Sequence, residues 1–391
     1  MAFLSRGKSV AVVEEASYGA ASPVFTDSDY VDYTSAEMST DIELVEREVI
    51  RQSLLKLESI LGQETSSGNI TVEVNSEDVS SGVNGDLLYK NGIGQKIEAV
   101  TATDIAVGGG TSTTEFNVTS ATGMETGQVL KVDVTGGTAG GEYTTIADIS
   151  GTTITVVPAL STTPTDADVV TALSTYILPK PNDTVPSLAV REHLAPTSGN
   201  TVDYDYLGVV VSEVSLDYPV GGISTAAFTL AGAGFDATSP GSAVTTPCTT
   251  LTPVVGKNAV VTVMGTAYTA QDLSFTISTE ITDINSITTD GITNKIGVAK
   301  TVTGTFKTEY TGQTNFDAFK AGTKGTLTLL LRDGGASSPV IHGIIAPSIK
   351  FTSVARSEDG GLVYDTVEFE ILSPDCGTNE RGISVFFRPN A

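Results

Sequence analysis

Two hairpin-like stretches constrain the fold of this chain more than any other part of it. The first, from Tyr206 to Phe235, has the sequence YLGVVVSEVSLDYPVGGISTAAFTLAGAGF, and the second, from His342 to Leu372, has the sequence HGIIAPSIKFTSVARSEDGGLVYDTVEFEIL. In both, apolar and polar residues alternate on either side of a glycine-rich turn. Because successive side chains of a strand point to opposite faces, each arm has one apolar and one mostly polar face. The pattern predicts two β-hairpins that each pack on a core through a single face.

The composition extends this expectation to the whole chain. Hydrophobic residues make up 40% and charged residues 17% of the 391 residues, which excludes a charge-dominated disordered chain. The many Gly, Thr, Ser and Val residues, with no Trp, are typical of strands and turns. The length accommodates two or three domains with ordinary cores. We therefore predict an all-β protein with little helix.

The net charge of −25 limits the possible partners. A strongly negative surface repels phosphate groups, so the charge disfavours a conventional DNA- or RNA-binding surface. The same charge would suit a surface that DNA passes without sticking. Charge alone does not separate this interpretation from solubility or adaptation to a salty habitat, which is the simpler explanation.

An internal repeat links the two halves of the chain. The string GNITVEV from Gly68 and the string GTFKTEY from Gly304 share glycine, apolar and glutamate positions. Each is followed by an aromatic-lysine segment closed by glycine, YKNG or FKAG, and then by a hairpin with a Gly-Gly turn. Four matches in the same order predict a tandem duplication. Each copy is expected to form a small antiparallel β-sandwich or open barrel with one short helix.

This repeat defines the predicted domain organisation. Residues 1–36 are mixed and turn-rich and are interpreted as an N-terminal arm. Residues 37–96 and 177–235 form the first copy, interrupted by a Thr- and Gly-rich inserted β-domain at residues 97–176. Residues 236–269 are interpreted as a linker, and residues 270–391 as the second copy with a C-terminal tail. The string IELVEREVI in the first copy fits either a helix face or a strand.

The edges of these predicted sheets have a further implication. Natural proteins shield exposed edges with prolines, inward-pointing charges or covering segments, because an open edge pairs with other chains. The two hairpins show no consistent protection of this kind. We therefore expect the edges to be used, with the subunit closing a ring with copies of itself.

The same features resemble the major tail tube protein of long-tailed, siphovirus-like bacteriophages. The resemblance rests on the strand-loop-strand around GNITVEV, the short helix before a glycine, both hairpins and the string VTGTFKTEYTGQTNFDAFKAGTKGTLTLLL. It covers most of residues 37–96 and 180–375, and the two copies resemble members with a doubled tube domain. The implied function is that of a structural virion protein, whose rings stack into a tube and join their sheets into one barrel around a channel for viral DNA.

The resemblance also implies the partners. Trimeric rings of pseudo-sixfold shape are preferred and hexameric rings stay open, with the tape measure protein and other tail proteins as further partners. Assembly would take place in the host cytoplasm, and the product would be the virion tail. The inserted domain would lie on the outer surface, and the loop from Arg51 to Ser67 and the N-terminal arm would contact stacked rings.

The polar strand faces are the candidate lining of this channel. Basic surfaces bind phosphate through counterion release, so acidic and hydroxyl side chains would let DNA pass. If these faces point inward, nine residues line the lumen, with Lys307 as the one basic exception. They are Thr71, Glu73, Glu213, Ser215, Asp217, Lys307, Glu309, Glu368 and Glu370. Alternatively, these faces meet bulk solvent on the outside.

Signals of catalysis, cofactor binding and membrane insertion are weak. The histidines are His193 and His342, and no metal, phosphate-loop or catalytic motif accompanies them. We therefore predict no enzymatic activity and no cofactor, and the missing motifs disfavour a β-rich hydrolase. Cys248 and Cys376 could form a single bridge. No apolar run reaches the roughly 20 residues of a membrane span. The alternative to a tube protein is an acidic β-rich adhesin or capsid decoration protein, which the Thr/Gly-rich insertion would suit.

Overall fold

The structure is a computed structural model that describes most of the chain. The described residues are 3–19, 23–47, 58–77, 82–104, 112–135, 141–166, 168–180, 183, 185–196, 200–238, 241, 253–257, 259–286, 291–332, 339–373 and 381–388. Cys248 and Cys376 lie outside these residues, so a bridge between them stays a prediction. Most of the segment SLLKLESIL and of the region 236–256 also lies outside them.

Strands dominate the described residues, which confirms the predicted all-β class. The first part contains β1 (Phe3–Glu14), a 3-10 turn (Asp27–Asp29), β2 (Tyr30–Val31), β3 (Ser35–Val45), β4 (Ile60–Glu73), α1 (Asp86–Ile93) and β5 (Gln95–Ile97). The middle contains β6 (Val100–Asp104), β7 (Glu115–Asn117), β8 (Val129–Asp133), β9 (Glu142–Ser150), β10 (Thr153–Val157) and β11 (Val169–Ala172).

The chain continues with two further sets of elements. The first set is β12 (Ser174–Ile177), β13 (Leu188–Pro196), β14 (Val202–Pro219), β15 (Thr225–Gly232) and β16 (Gly234–Thr238). The second set is β17 (Val260–Val263), β18 (Thr266–Tyr268), β19 (Ala270–Ser286), β20 (Gly291–Glu309), α2 (Thr314–Ala321), β21 (Lys324–Arg332), β22 (Val340–Asp359), β23 (Leu362–Ile371) and β24 (Ser384–Phe387).

The two halves have the same strand topology. In the first, β2 pairs with β1, β1 with β13, β13 with β14, β14 with β15, β15 with β4, and β4 with β3. In the second, β18 pairs with β17, β17 with β21, β21 with β22, β22 with β23, β23 with β20, and β20 with β19. In addition, β16 pairs with β14 as β24 pairs with β22. The duplication inferred from scattered glycines and glutamates therefore extends to every strand of the unit.

Each copy folds into two layers because β14 and β22 are long enough to belong to both. Their C-terminal halves join what we call the hairpin layers, β3–β4–β15–β14 and β19–β20–β23–β22. Their N-terminal halves join what we call the cover layers, with β1, β13 and β16 in one copy and β17, β21 and β24 in the other. The buried core lies between the layers: the Tyr89 ring of α1 is 5.0 Å from Phe228 of a hairpin layer and 5.2 Å from Phe387 of a cover layer.

Local chemistry explains the hairpins and the repeated glycine. Gly360 and Gly361 have φ values of 59° and 83°, so the tight turn between β22 and β23 uses the left-handed region that glycine adopts without strain. A Cβ on Gly304 would lie 2.3 Å from Cζ of Phe369, so glycine is required where β20 passes beneath that ring. In the first copy, a Cβ on Gly68 would lie 2.2 Å from Sδ of Met38. The glycines that revealed the repeat thus allow close packing in both copies.

A separate six-stranded sheet occupies the region where an inserted β-domain was expected. Its strand order is β6–β11–β8–β9–β10–β7, and it has its own apolar core, which includes Phe116 and Ile154. The chain leaves and re-enters the main fold through β5 and β12, and β12 also pairs with β24 of the second cover layer. Tyr143 of the insert stacks on Phe386 at 5.5 Å between ring centroids. The insert therefore packs on the cover layer of the second copy.

Several elements depart from the predicted layout. The segment interpreted as an arm begins with β1, because Val10 and Val12 are buried in the core and β1 pairs along β13. The predicted linker contains β17 and β18, which complete the cover layer of the second copy. The ambiguous IELVEREVI string begins within β3, and its last residues lie outside the described part of the chain. Helix α1 extends past Gly92 to Ile93, and Gly94 caps it by donating its N–H to the carbonyl oxygen of Lys90.

Candidate assembly surface

The hairpin layers of the two copies form one continuous sheet. Glu213–Pro219 of β14 pair with Asp272–Ser278 of β19, so the strand order is β3–β4–β15–β14–β19–β20–β23–β22. One face of this eight-stranded sheet covers the core. The other face points away from it, and we call it the polar face.

The polar face arises directly from the period of two in each strand. Val214, Leu216 and Phe228 are fully buried on the core side, while their neighbours Glu213, Ser215 and other polar side chains lie on the opposite side. Directly paired residues share a face, so cross-strand pairs can be followed across the sheet. One such row is Glu73, Thr225, Asp217, Ser274, Thr305 and Glu368.

All nine residues predicted as lumen candidates lie on this polar face. A second row joins Thr71, Ala227, Ser215, Thr276, Thr303 and Glu370. Glu213 lies in the next row, opposite Thr229 and Ser278. Lys307 and Glu309 continue the same alternation along β20. The structure thus brings together residues that are far apart in the sequence, from both copies of the repeat.

The side chains of the polar face are linked by short polar contacts. Ser278 Oγ donates a hydrogen bond to Glu213 Oε2 at 3.1 Å across the junction between the two copies. Neighbouring groups partly desolvate Asp217 and raise the pKa of its carboxyl group, and a hydrogen bond from Ser215 opposes this rise. The dominant chemistry of the face is therefore that of carboxylates and hydroxyls.

The predicted basic exception is largely neutralised by its surroundings. Lys307 Nζ lies 3.3 Å from Asp359 Oδ2 and 4.6 Å from the centroid of the Tyr364 ring. Asp272 is its direct partner on β19. A lysine next to a carboxylate and an aromatic ring offers less free charge to a passing phosphate than an isolated one does.

Sequence reasoning missed a large part of this face. The missed residues lie mainly on β15, β19 and β20, and they are Thr225, Thr229, Asp272, Ser274, Thr276, Ser278, Thr301, Thr303 and Thr305. The string LSFTIS from Leu273 carried a local signal for part of it, because apolar residues alternate there with Ser274, Thr276 and Ser278. The local pattern could not predict that β14 pairs with β19, and this pairing joins the polar faces of the two copies into one.

Two edges of the eight-stranded sheet carry no strand among the described residues. Strand β3 pairs only with β4, and the segment Ser353–Asp359 of β22 pairs only with β23. Neither Ser35–Asp41 nor Ser353–Asp359 contains a proline. Such edges present rows of unpaired N–H and C=O groups that can pair with another strand.

Both histidines make internal contacts, and so do Asp203 and Asp205, which alternate with tyrosines in β14. Asp203 lies 2.5 Å from His193 Nδ1, and Asp205 forms a bidentate pair with Arg191 at 2.6 and 2.7 Å. His342 is fully buried and contacts Tyr218 and the carbonyl oxygen of Phe386. Within the described ranges, no group of three or more His, Cys, Asp or Glu side chains is arranged to hold a metal ion.

Comparison of the sequence with models of known protein families identifies the family of this protein. A family model described as phage tail tube protein matches residues 5–371, almost the entire chain. The chain belongs to the phage tail tube protein family. The resemblance to a tail tube protein, drawn from the hairpins and the repeat, is therefore confirmed, and with it the prediction of a structural tail protein, since this family is structural and not enzymatic.

Membership of the tail tube family also establishes a general location and partnership. Proteins of this family reside in the virion tail and associate with themselves and with other tail components. A comparison with curated proteins gives no significant match. Among the residues that the structure describes, no helix is long and apolar enough to cross a membrane.

Proposed function

We propose that copies of this tail tube protein join edge to edge into closed rings, that the rings stack into the tail tube, and that the polar face lines the channel through which viral DNA leaves. Trimeric rings, in which the two copies of each chain give a pseudo-sixfold shape, are the preferred assembly, and hexameric rings are the alternative. The observation that carries the proposal is the eight-stranded sheet, which has a continuous polar face and, at each end, an edge that no further described strand covers.

What covers the opposite face of the eight-stranded sheet favours a polar face that points into the channel. The core and the cover layers occupy one side of the hairpin layers, and the inserted domain packs on the cover layer of the second copy through Tyr143 and Phe386. A ring with the hairpin layers inside would therefore place the insert on its outer surface. The opposite orientation would crowd six-stranded inserts into the channel.

Electrostatics gives the polar face its part in DNA passage. Double-stranded DNA carries one negative charge per roughly 1.7 Å of its axis, and it is held mainly by basic groups that displace its counterions. The polar face presents carboxylates and hydroxyls, and Lys307 is paired with Asp359 at 3.3 Å. Such a lining repels the phosphates of the DNA.

The tips of the long hairpins are the proposed contacts between stacked rings. Leu44 and Leu61 are 61% and 68% exposed near the tip of β3–β4, and Ile296 and Val298 are exposed on β20 of the equivalent hairpin β19–β20. Exposed apolar groups of this kind mark protein contact surfaces. The predicted loop from Arg51 to Ser67 lies partly outside the described residues, and its last part, from Ile60, belongs to β4. The tape measure protein is a further proposed partner, and assembly is placed in the host cytoplasm before the tail joins the virion.

Negative-stain electron microscopy of the purified protein, with native mass spectrometry, tests the proposal. Rings or tubes with an open channel and a mass of three chains per ring are the expected result, and six chains per ring would favour the alternative. A strictly monomeric protein at high concentration would overturn the proposal. Deletion of the insert between β5 and β12 is a matched control, since it should leave ring formation intact and reduce the outer diameter.

A further inference from the structure

The junction inside one chain shows how one hairpin layer joins the next. Strand β14 forms the last strand of the first hairpin layer, and β19 forms the first strand of the second. Glu213–Pro219 and Asp272–Ser278 pair antiparallel, with Glu213 opposite Ser278 and Pro219 opposite Asp272. This joint connects two copies of one unit, so it is a template for a joint between two molecules.

The open edges are the equivalents of the two strands in this junction. In the second copy β22 takes the place of β14: Val354 pairs with Val367 as Val214 pairs with Phe228. The β-bulge is also repeated, since the register shifts between Val211 and Glu213 in β14 and between Phe351 and Ser353 in β22. The segment Ser353–Asp359 is therefore the counterpart of Glu213–Pro219.

Strand β3 is the counterpart of β19 by the same reasoning. Met38 faces Gly68 on β4 as Phe275 faces Gly304 on β20. Since these glycines are the matched positions of the repeat, Ser35–Asp41 corresponds to Asp272–Ser278. One end of the sheet thus presents the first half of the junction, and the other end presents the second half.

We propose that Ser353–Asp359 of one molecule pairs antiparallel with Ser35–Asp41 of the next, with Ser353 opposite Asp41, Ala355 opposite Ser39 and Asp359 opposite Ser35. This inference rests on the proposed ring and specifies its register. The polar faces of neighbouring molecules then run into each other without a step, because direct partners share a face.

Side-chain complementarity favours this register over its neighbours. Inside the chain, Glu213 lies opposite Ser278 and Asp217 opposite Ser274, so each carboxylate meets a hydroxyl. The proposed joint keeps this pairing with the sides exchanged, because Ser353 meets Asp41 and Ser357 meets Glu37.

Shifted registers lose this match. A shift by two residues in one direction sets Glu37 opposite Asp359, and like charges directly opposite each other destabilise a sheet. The same shift in the other direction leaves both Ser353 and Ser357 facing serines, Ser39 and Ser35. A shift by one residue would turn every side chain of β3 to the wrong face.

Disulfide trapping in assembled rings tests the register. The variants are built in a Cys248→Ser, Cys376→Ser background, and the double variant Ser39→Cys with Ala355→Cys represents the proposed partners on the polar face. Thr40→Cys with Val354→Cys represents the next partners, on the core face. Because hydrogen-bonded and non-hydrogen-bonded pairs alternate along an antiparallel ladder, the two double variants sample both kinds of pair. Ser39→Cys with Ser357→Cys is the control. Its diagonal separation of roughly 7–8 Å is too long for a disulfide.

After mild oxidation, at least one of the two in-register pairs should give bands at two and three times the chain mass on a non-reducing gel, while the control stays at the mass of one chain. Rings that link through the control pair, or through neither in-register pair, would overturn the register and leave the ring proposal standing. The absence of rings from the same samples by electron microscopy would instead contradict the proposed function, on which this register depends.

Discussion

His342 provides a quantitative test of how the two copies are joined. Its Nδ1 lies 2.9 Å from the carbonyl oxygen of Phe386, which can only accept, so Nδ1 carries the proton and Nε2 accepts from the Tyr218 hydroxyl at 2.7 Å. Tyr218 belongs to β14 of the first copy, and the other two residues belong to the second. Complete burial lowers the pKa of His342 from 6.5 to about 3, against a smaller opposing effect of the Phe386 hydrogen bond.

The lowered pKa makes stability depend on pH in a defined direction. Below pH 6.5 the unfolded chain takes up a proton at His342 that the folded chain refuses, so the free energy of unfolding falls as the pH falls. The loss is about 1.4 kcal/mol per pH unit between the unfolded and folded pKa values and ends near the folded pKa. Between pH 7 and pH 5 this one site should therefore cost about 2 kcal/mol.

Urea unfolding of the wild type and of His342→Gln at pH 7, 6 and 5 measures this loss. Glutamine supplies an acceptor and a donor near the two ring nitrogens and does not titrate. Other titrating groups are common to both proteins, so the difference between the two pH dependences isolates His342. The measurement is made at protein concentrations where the wild type is monomeric, because assembly would stabilise the folded state.

The wild type should lose about 2 kcal/mol more than His342→Gln between pH 7 and pH 5. Tyr218→Phe is the matched control, since it keeps the histidine but leaves Nε2 without its donor. It should lower stability at pH 7 by about 1–3 kcal/mol and retain the pH dependence. Equal pH dependence in the wild type and His342→Gln would refute the buried neutral histidine at the joint.

Three further changes test other parts of the molecule. Gly304→Val places a side chain 2.3 Å from the Phe369 ring and should destabilise the fold by about 1–3 kcal/mol in thermal unfolding; an unchanged melting temperature would contradict that close approach. Arg191→Met strips Asp205 of its bidentate partner in a mostly buried site and should cost about 3 kcal/mol in urea unfolding. The control is Lys131→Met, because its partner Asp133 is 44% exposed whereas Asp205 is 10% exposed; it should cost less than about 1 kcal/mol, and equal losses would contradict this difference between the two carboxylates. A triple variant that places lysine at three glutamates of the polar face should yield tubes that retain DNA at low salt and release it at high salt in a filter-binding assay. The variant with glutamine at the same three positions should not retain DNA, and retention by both would refute charge as the cause. The residues changed in that variant are Glu73, Glu213 and Glu368.

Local pattern was sufficient to predict the strands of the hairpins and their faces. In the two hairpin arms, Glu213–Asp217 and Thr225–Leu230, every second side chain is apolar, so the burial of Val214, Leu216 and Phe228 could be predicted before any partner strand was known. The glycines at 360 and 361 marked the turn for a steric reason that is equally local. The same local rules placed all nine channel candidates on polar positions of their strands.

Long-range pairing was beyond these rules. Nothing within residues 3–14 indicates that β1 pairs with β13, more than 170 positions later in the chain, so the segment was interpreted as an arm. The pairing of β14 with β19, which unites the two polar faces, likewise depends on the fold as a whole. The role of the polar face as a channel lining stays a prediction, because only the assembled particle tests it.

The pairing of β14 with β19 also changes how assembly depends on concentration. A joint between separate molecules costs an estimated 4–15 kcal/mol in lost translational and rotational freedom. In the proposed ring, every second joint would form while the chain folds, as β14 pairs with β19, so its formation would not depend on protein concentration. A ring of such chains has half as many joints between molecules as a ring of single units with equal circumference, and it should begin to form at a lower subunit concentration.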